Sequence, residues 1–350
     1  MNWSLLKGTR SNDPLKLKGR RRVVRAMAPI LLGASLLCAR VVCESHGAEH
    51  RTVIETWRKV DDKKSDIVIL SVTAFLVSPT GSNQTYNVPN DWDSANNTIS
   101  TIGAGASGSI GQQGTDGGSG GGGGGYSSQS NITLTPGGTA TYQIGTGGAS
   151  VTRTNNGTRL TGNAGGDTWF NGTTLGGSTV GAKGGTSRPS PLGGLGGEQV
   201  GNTGGVGATK RLGGNGGFGG DACIGNGNAG GGGGAAGNTA NGTNGVDGNG
   251  TQGNGGAGGA TGGGAGGSGA GANGSAGTNF DATHGAGGGG AGSLIAGTAG
   301  AGGLYGAGGG GTPNSGSGTF TSGAGAQGLI VIVYTPAVGA SVRNRGFIIG

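Results

Sequence analysis

GTNGVDGNGTQGNGGAGGATG, residues 242–262, decides how this chain is read. Glycine returns every third position at Gly242, Gly245 and Gly248. The phase then slips, and Gly250, Gly253, Gly256, Gly259 and Gly262 resume it. Further slips give Gly264 and Gly267, then Gly271, Gly274 and Gly277. Upstream, Gly213, Gly216 and Gly219 run beside Gly214, Gly217 and Gly220. Of 96 glycines, five precede residue 101, so the stretch from about Gly184 to Gly328 belongs to a chain of unusual composition. Such a chain has too few large apolar residues to offset its ordering entropy through a core. Disorder is one outcome.

The ordered alternative is a bundle of extended helices of the polyproline II type, three residues per turn, built from glycine. An isolated helix of this kind satisfies none of its own backbone groups, so it must find neighbours. Without Cβ atoms the neighbours can approach closely enough to bond N–H to C=O. One hydrogen bond returns about 0.5 to 1.5 kcal/mol net, against roughly 1 to 2 kcal/mol to order a backbone residue. Dense mutual bonding and anchored ends are therefore required. Short in-phase runs separated by slips suit a chain folded back at each slip. Collagen fits poorly, because its triplet is strict and proline-rich and this chain has 9 prolines.

Strand patterns flank the glycine stretch. Asp66–Val77 is rich in β-branched and aromatic residues and ends at the turn Ser78-Pro79-Thr80-Gly81. Tyr86–Pro89 and Asn97–Ile102 follow. Ile132–Thr135 and Thr139–Ile144 read as a hairpin about Pro136-Gly137-Gly138, and Asp167–Phe170 with Ser178–Ala182 as a second ribbon. Leu329–Tyr334, a continuous apolar run, reads as a buried strand. The expected fold is a small all-β scaffold, residues 66–184. A glycine-rich polyglycine II helix bundle with loops, 185–328, is inserted before the closing strand 329–335, and a tail spans 336–350. Trp169 and Phe170 belong to the scaffold.

The formal net charge of +7 comes from the N-terminal 65 residues, which carry 14 Lys and Arg against six Asp and Glu, the remainder being close to neutral. Basic residues from Lys16 to Arg25 precede an apolar run, Ala26–Ala39, with small residues near Ser45 and Ala48. That order reads as a signal or anchor segment over 1–48, too short to span a bilayer as a helix. Val53, Trp57 and Val60 fall at helical spacing, so 49–65 reads as a linker, possibly helical. The basic residues lie in one cluster with no interleaved aromatics, which argues against a nucleic-acid partner.

Asn87-Val88-Pro89-Asn90-Asp91-Trp92-Asp93-Ser94-Ala95-Asn96-Asn97-Thr98-Ile99, followed by Gly103-Ala104-Gly105-Ala106, resembles the opening of glycine-rich proteins encoded in tailed-phage and prophage tail-fibre regions. Leu134–Gly138 into Ile144-Gly145, Gly166–Gly172 with Ala182–Gly185, and Gly325–Tyr334 are similar to their later segments in the same order. The resemblance covers about residues 66–335. It implies a tail-tip adhesin in which a polyglycine sandwich carries loops that contact a bacterial surface protein or glycan, attached to an upstream tail-fibre protein. Localisation in a virion tail fibre follows from it. The alternative is a secreted or cell-surface glycine-rich structural protein of a bacterium, if residues 20–48 act as a signal peptide.

Catalytic chemistry has little to stand on. After residue 50 the chain holds one histidine, His284, and one cysteine, Cys223. His284 lies three residues after Asp281, a spacing that fits an exposed turn better than an oriented dyad. The many G-x-G-x-x-G matches carry no information in such a chain. Gly216–Ile224 satisfies the calcium-roll nonapeptide once, without the tandem copies a roll needs. No enzyme activity, cofactor, metal or disulfide is expected in the body of the protein. The remaining candidates are aromatic or polar interruptions of the glycine period: Phe218, Asp221, Phe280, Asp281, His284, Tyr305 and Phe320. Each is either packed against the bundle or exposed at a loop tip for receptor contact.

Overall fold

The computed structural model describes residues 71–337 except 113–114, 156, 190–204, 221–227, 250, 252, 260, 295 and 314–316, together with the backbone of the strands before residue 71. The described residues form fifteen strands: β1 Val23–Leu32, β2 Ser35–His46, β3 Glu49–Arg58, β4 Ile67–Leu76, β5 Gln84–Asn87, β6 Asn97–Ile102, β7 Tyr126–Ser130, β8 Thr139–Gln143, β9 Thr152–Thr154, β10 Thr168–Phe170, β11 Val180–Ala182, β12 Thr209–Arg211, β13 Gly297–Thr298, β14 Thr319–Thr321 and β15 Leu329–Tyr334. They make an eight-stranded sheet in the order β1-β2-β3-β4-β15-β6-β7-β12, a four-stranded sheet β11-β10-β8-β5 and a three-stranded sheet β13-β14-β9. The described residues contain no helix, and none long and apolar enough to cross a membrane.

Period-two alternation with both faces covered explains why β15 reads as an uninterrupted apolar run and β4 as one broken only by Ser71 and Thr73. Val72, Ala74 and Leu76, with Ile330, Ile332 and Tyr334, face the four-stranded sheet, meeting Tyr86, Tyr142, Phe170 and Val180 in one core. Phe75, Leu329 and Val331 point the other way into a second core with Ile102, Tyr126 and Tyr305. Both faces are covered, so both sets of side chains are apolar. The closing strand sits between β4 and β6, antiparallel to each. The two larger sheets thus form a sandwich, and the N- and C-terminal ends of the glycine-rich stretch are tied into it.

Three expectations are corrected here. The segment 49–65 is not helical over its first part: Glu49–Arg58 is a strand, paired along its length with β2 and β4. Thr52, Val53, Ile54 and Thr56 are β-branched, and a free ladder on either side outweighs the weak 3.6-residue spacing. The apolar run Ala26–Ala39 likewise lies in β1 and β2. The second correction is the hairpin about Pro136. Ile132–Thr135 forms no strand, because its Ile132 carbonyl accepts from Trp92 Nε1 at 3.2 Å and Asn97 Nδ2 at 3.1 Å. Gly137 and Gly138 instead prolong the β5–β8 pairing, with Val88 donating to Gly138 at 2.9 Å.

The third correction concerns where the glycine segments begin. They are not confined to 185–328. The segments 103–111 and 117–125 pair antiparallel, with Gly103, Ala106 and Ser109 donating to Gly125, Gly122 and Ser119, each at 2.9 Å. The bonds fall on every third residue. The two remaining registers of 117–125 go elsewhere: Gly117, Gly120 and Gly123 donate to Gly220, Gly217 and Gly214, whereas Gly118, Gly121 and Gly124 donate to Thr312, Gly309 and Gly306.

The segment 228–236 shows the same rule most fully. Gly230 and Gly233 donate to Gly118 and Gly121; Gly231 and Gly234 to Val246 and Thr243; Gly232 and Ala235 to Gly290 and Gly287. Its carbonyls accept from Gly217, Gly256 and Gly308 of three further segments. It therefore bonds to six neighbours, and all nine of its residues are buried. A Cβ on Gly233 would lie 2.0 Å from the carbonyl oxygen of Gly214, a distance no side chain tolerates. Edge segments differ. In 241–249 only Gly242, Gly245 and Gly248 turn inward, and Asn241, Thr243, Asn244, Val246 and Asp247 are exposed. Glycine at every third position marks a segment with one covered face; an unbroken glycine run marks one covered all round.

Candidate functional site

Consecutive glycine segments run in alternating directions, so their connecting turns gather at two opposite ends. At the proximal end the chain meets the sandwich: Ile102 leads into 103–111, Gly125 into β7, Arg211 into 212–220, and Gly328 into β15. Ala235, Ala236 and Ala286 are wholly buried there against the second core. Methyl groups replace glycine hydrogens where a segment runs into side chains instead of backbone.

The loop Asn279–His284 is a proximal turn. His284 stacks on Phe75 with ring centroids 4.0 Å apart and on Tyr305 with centroids 5.7 Å apart. Its Nδ1 lies 2.8 Å from both carboxylate oxygens of Asp281. Asp281 also accepts the Thr283 amide at 2.7 Å. Burial raises the Asp281 pKa, but the hydrogen bonds from Thr283 and His284 outweigh it and leave the carboxyl below its ordinary value. Phe280 packs against the second core. Burial, with Asp281 close by, pushes the Tyr305 phenol upward. Of the two alternatives for Phe280, His284 and Tyr305, the structure shows packing: they fasten the bundle to the sandwich. His284 stacks on Phe75 and Tyr305 on His284, and Phe75 is a β4 residue that the chain order gives no reason to place beside them.

The opposite, distal end carries a different set of turns, among which 151–159 is mostly polar. Residues 112–116 close 103–111 onto 117–125. Residues 151–159 connect two further segments through β9; 268–270 and 294–298 serve the same purpose elsewhere. Asp116 is buried at 4 % exposure, accepts the Gln112 amide at 2.8 Å and is gripped by Arg159, whose Nε lies 2.7 Å away. The β9 strand is held antiparallel to β14, Arg153 opposite Phe320. The Thr152 and Thr321 hydroxyls bond at 3.1 Å. Thr152, Thr154, Thr158, Arg159 and Thr319 are exposed.

Of the other sequence candidates, Phe320 is fully buried beneath this cap, which removes it as a contact residue; it supplies the cap's apolar anchor. Phe218 is half exposed on the outer row of an edge segment near the distal end, as an interruption of the glycine period suggests. Asp221, with Cys223 and the latter part of the calcium-roll match, lies outside the described residues. Sequence reasoning missed Asp116, Arg153 and Arg159. The signal was present as the only described charges in the stretch 103–166, among glycine, serine, threonine and asparagine.

Among the described residues no group of three or more His, Cys, Asp or Glu side chains is placed to hold a metal ion. No protein-family model matches this chain, and no curated protein sequence matches it.

Proposed function

We propose that the protein is a non-enzymatic receptor-binding adhesin, a phage tail-fibre tip that recognises a bacterial surface protein or glycan through the distal loops of a polyglycine scaffold. The glycine segments are read as polyglycine II helices. Hydrogen bonds that recur at every third residue and leave each segment in three directions support this reading, because a three-residue turn points successive N–H groups 120° apart. One observation carries the function: the proximal turn Asn279–His284 is docked on the sandwich through Phe280 and His284, whereas the distal turn 151–159 is rich in exposed polar residues and rests on densely bonded backbone. A rigid platform loses little ordering entropy on contact, so several weak loop contacts can sum to firm attachment. The sandwich, with its long sheet edge, is the end that joins an upstream tail-fibre protein, and the virion is the proposed location.

The reading is tested by epitope tags inserted in otherwise intact protein, one at Ser268 in a distal turn and one at Ser82 on the sandwich, both exposed. Antibody against the tag is expected to block attachment to host cells in the first case and leave it in the second. Equal blocking, or none, overturns the assignment of the distal end.

A further inference from the structure

Building on the adhesin reading, we propose that the corner of the distal end carrying Arg153, Arg159 and Arg188 binds a saccharide bearing carboxylate or phosphate groups. Arg153 and Arg159 share the 151–159 turn. Arg188 is exposed on the neighbouring segment, three residues beyond Gly185, which accepts a hydrogen bond from Gly165 at 3.0 Å.

Three guanidinium groups thus face one carboxylate among the described residues of this corner, and that carboxylate, Asp116, is buried and already held by Arg159. Arg153 Nη1 is buried without a hydrogen-bond partner, its guanidinium lying over Gly157, and neither Arg153 nor Arg188 forms an ion pair among the described residues. The corner is therefore positive, whereas the rest of residues 66–350 holds five basic against eight acidic residues. Guanidinium forks match carboxylate and phosphate oxygens with paired, charge-assisted hydrogen bonds. Around them stand the exposed hydroxyls of Thr152, Thr154 and Thr158, which can both donate to and accept from sugar hydroxyls. The pairing of β9 with β14 over buried Phe320 fixes their spacing.

Two contrasts narrow the class of ligand. Protein interfaces centre on aromatic or aliphatic anchors, and none of the exposed large apolar residues lies within 151–161. Neutral sugars are gripped largely by stacking on exposed aromatic faces, and the cap's one aromatic, Phe320, is wholly buried. Charge and hydroxyls are what this corner offers.

The test uses the full-length chain titrated with oligogalacturonate, with a phosphorylated oligomannose and with a neutral galacto-oligosaccharide of equal length, beside an attachment assay on host cells. Binding of at least one acidic sugar is expected, weakening as salt rises, and the neutral sugar should bind at least about tenfold more weakly. Arg153→Gln and Arg188→Gln should each reduce acidic-sugar affinity by about tenfold, the loss expected for one charge-assisted hydrogen bond. Arg188→Gln alters an exposed position and keeps the test valid if Arg153→Gln fails to fold. Equal affinity for neutral and acidic sugars, or unchanged affinity in Arg188→Gln, overturns the proposal. Host attachment that persists when no acidic sugar binds, or that an acidic protein surface alone captures, overturns it while leaving the adhesin reading standing. Loss of both sugar binding and host attachment overturns both.

Discussion

His284 lies face to face with Phe75, the imidazole and phenyl planes 10° from parallel and their centroids 4.0 Å apart. One ring comes from the turn between two glycine segments and the other from β4 of the sandwich, so this pair is a point where bundle and sheet are joined by side chains. Tyr305 also stacks on the imidazole, again at 10°. Aromatic stacking of this kind is worth about 0.5 to 1.5 kcal/mol beyond the area it buries, and the Asp281 hydrogen bond adds to it. His284→Ala is expected to lower stability by about 2 kcal/mol, read as a reduced urea midpoint, while host attachment at the distal end stays intact. An unchanged midpoint would show that backbone bonding alone holds the two parts together.

The same cluster sets a pH response at both extremes. Asp281 has a folded pKa below its ordinary 3.8, because the hydrogen bonds from Thr283 and His284 outweigh its burial. Its contribution is therefore present above the unfolded value and is lost as pH falls through the lower folded one. Tyr305 is shifted upward from 10.0, by burial first and by Asp281 second. Its contribution is present below the unfolded value and is lost as pH rises through the folded one. Asp281→Asn should flatten the acid limb of a stability–pH curve, and Tyr305→Phe the alkaline limb. Thermal unfolding followed from pH 3 to pH 11 separates the two effects; an Asp281→Asn curve that keeps the wild-type acid limb would remove the carboxylate from this account.

Glycine positions divide by what surrounds them. A Cβ on Gly233 would meet the Gly214 carbonyl oxygen at 2.0 Å, whereas one on Gly176 has nothing within 4 Å. Gly233→Ala must push apart two segments that are each bonded to others, which a close-packed interior resists at a cost of about 3 kcal/mol or more. Gly176→Ala is expected to change stability by less than about 1 kcal/mol, since only unfolded-chain entropy and local hydration differ. Urea unfolding of the pair, made side by side, decides whether close approach or composition alone demands glycine in this bundle.

How much of this was legible beforehand depended on whether the cause was local. Leu329–Tyr334 is readable as a strand because six apolar residues in a row leave few other places to go, and Asp66–Val77 because β-branched and aromatic residues dominate it. The ribbon of β10 and β11 was equally plain. The strand β7, Tyr126-Ser127-Ser128-Gln129-Ser130, was not: its serines suit a strand only because β6 and β12 already lie on either side. The period of three was visible in 242–262, yet the membership of 103–125 in the same assembly was not, since GGGGGG at 120–125 has no period to count. Phe280 and His284 were correctly singled out as departures from glycine. Which end of the bundle they occupy follows from the parity of the turns, a global property that no window of sequence contains.

The edge of the bundle carries one more rule that the sequence spells in triplets. Asn241, Asn244 and Asp247 each accept, through Oδ1, the backbone N–H of Leu212, Asn215 and Phe218, at 3.0, 2.8 and 2.7 Å. The glycine after each, Gly242, Gly245 and Gly248, returns a bond to the carbonyl of the same residue, at 2.9, 2.8 and 2.9 Å. Asn273-Gly274 grips Ala301 in the same way, with distances of 2.8 and 2.9 Å. An outer segment has no further backbone neighbour to satisfy these N–H groups, and the Asx side chain supplies the missing acceptor. Only its oxygen is used, which is why aspartate serves at 247 as well as asparagine does at 241. Asn244→Asp should therefore be nearly neutral. Asn244→Ala leaves the Asn215 amide without its acceptor and is expected to cost about 1 kcal/mol. Amide hydrogen exchange at Asn215 gives the direct readout: it should stay slow in the aspartate variant and quicken in the alanine variant, and equal rates in the two would mean that the side chain contributes no hydrogen bond at this edge.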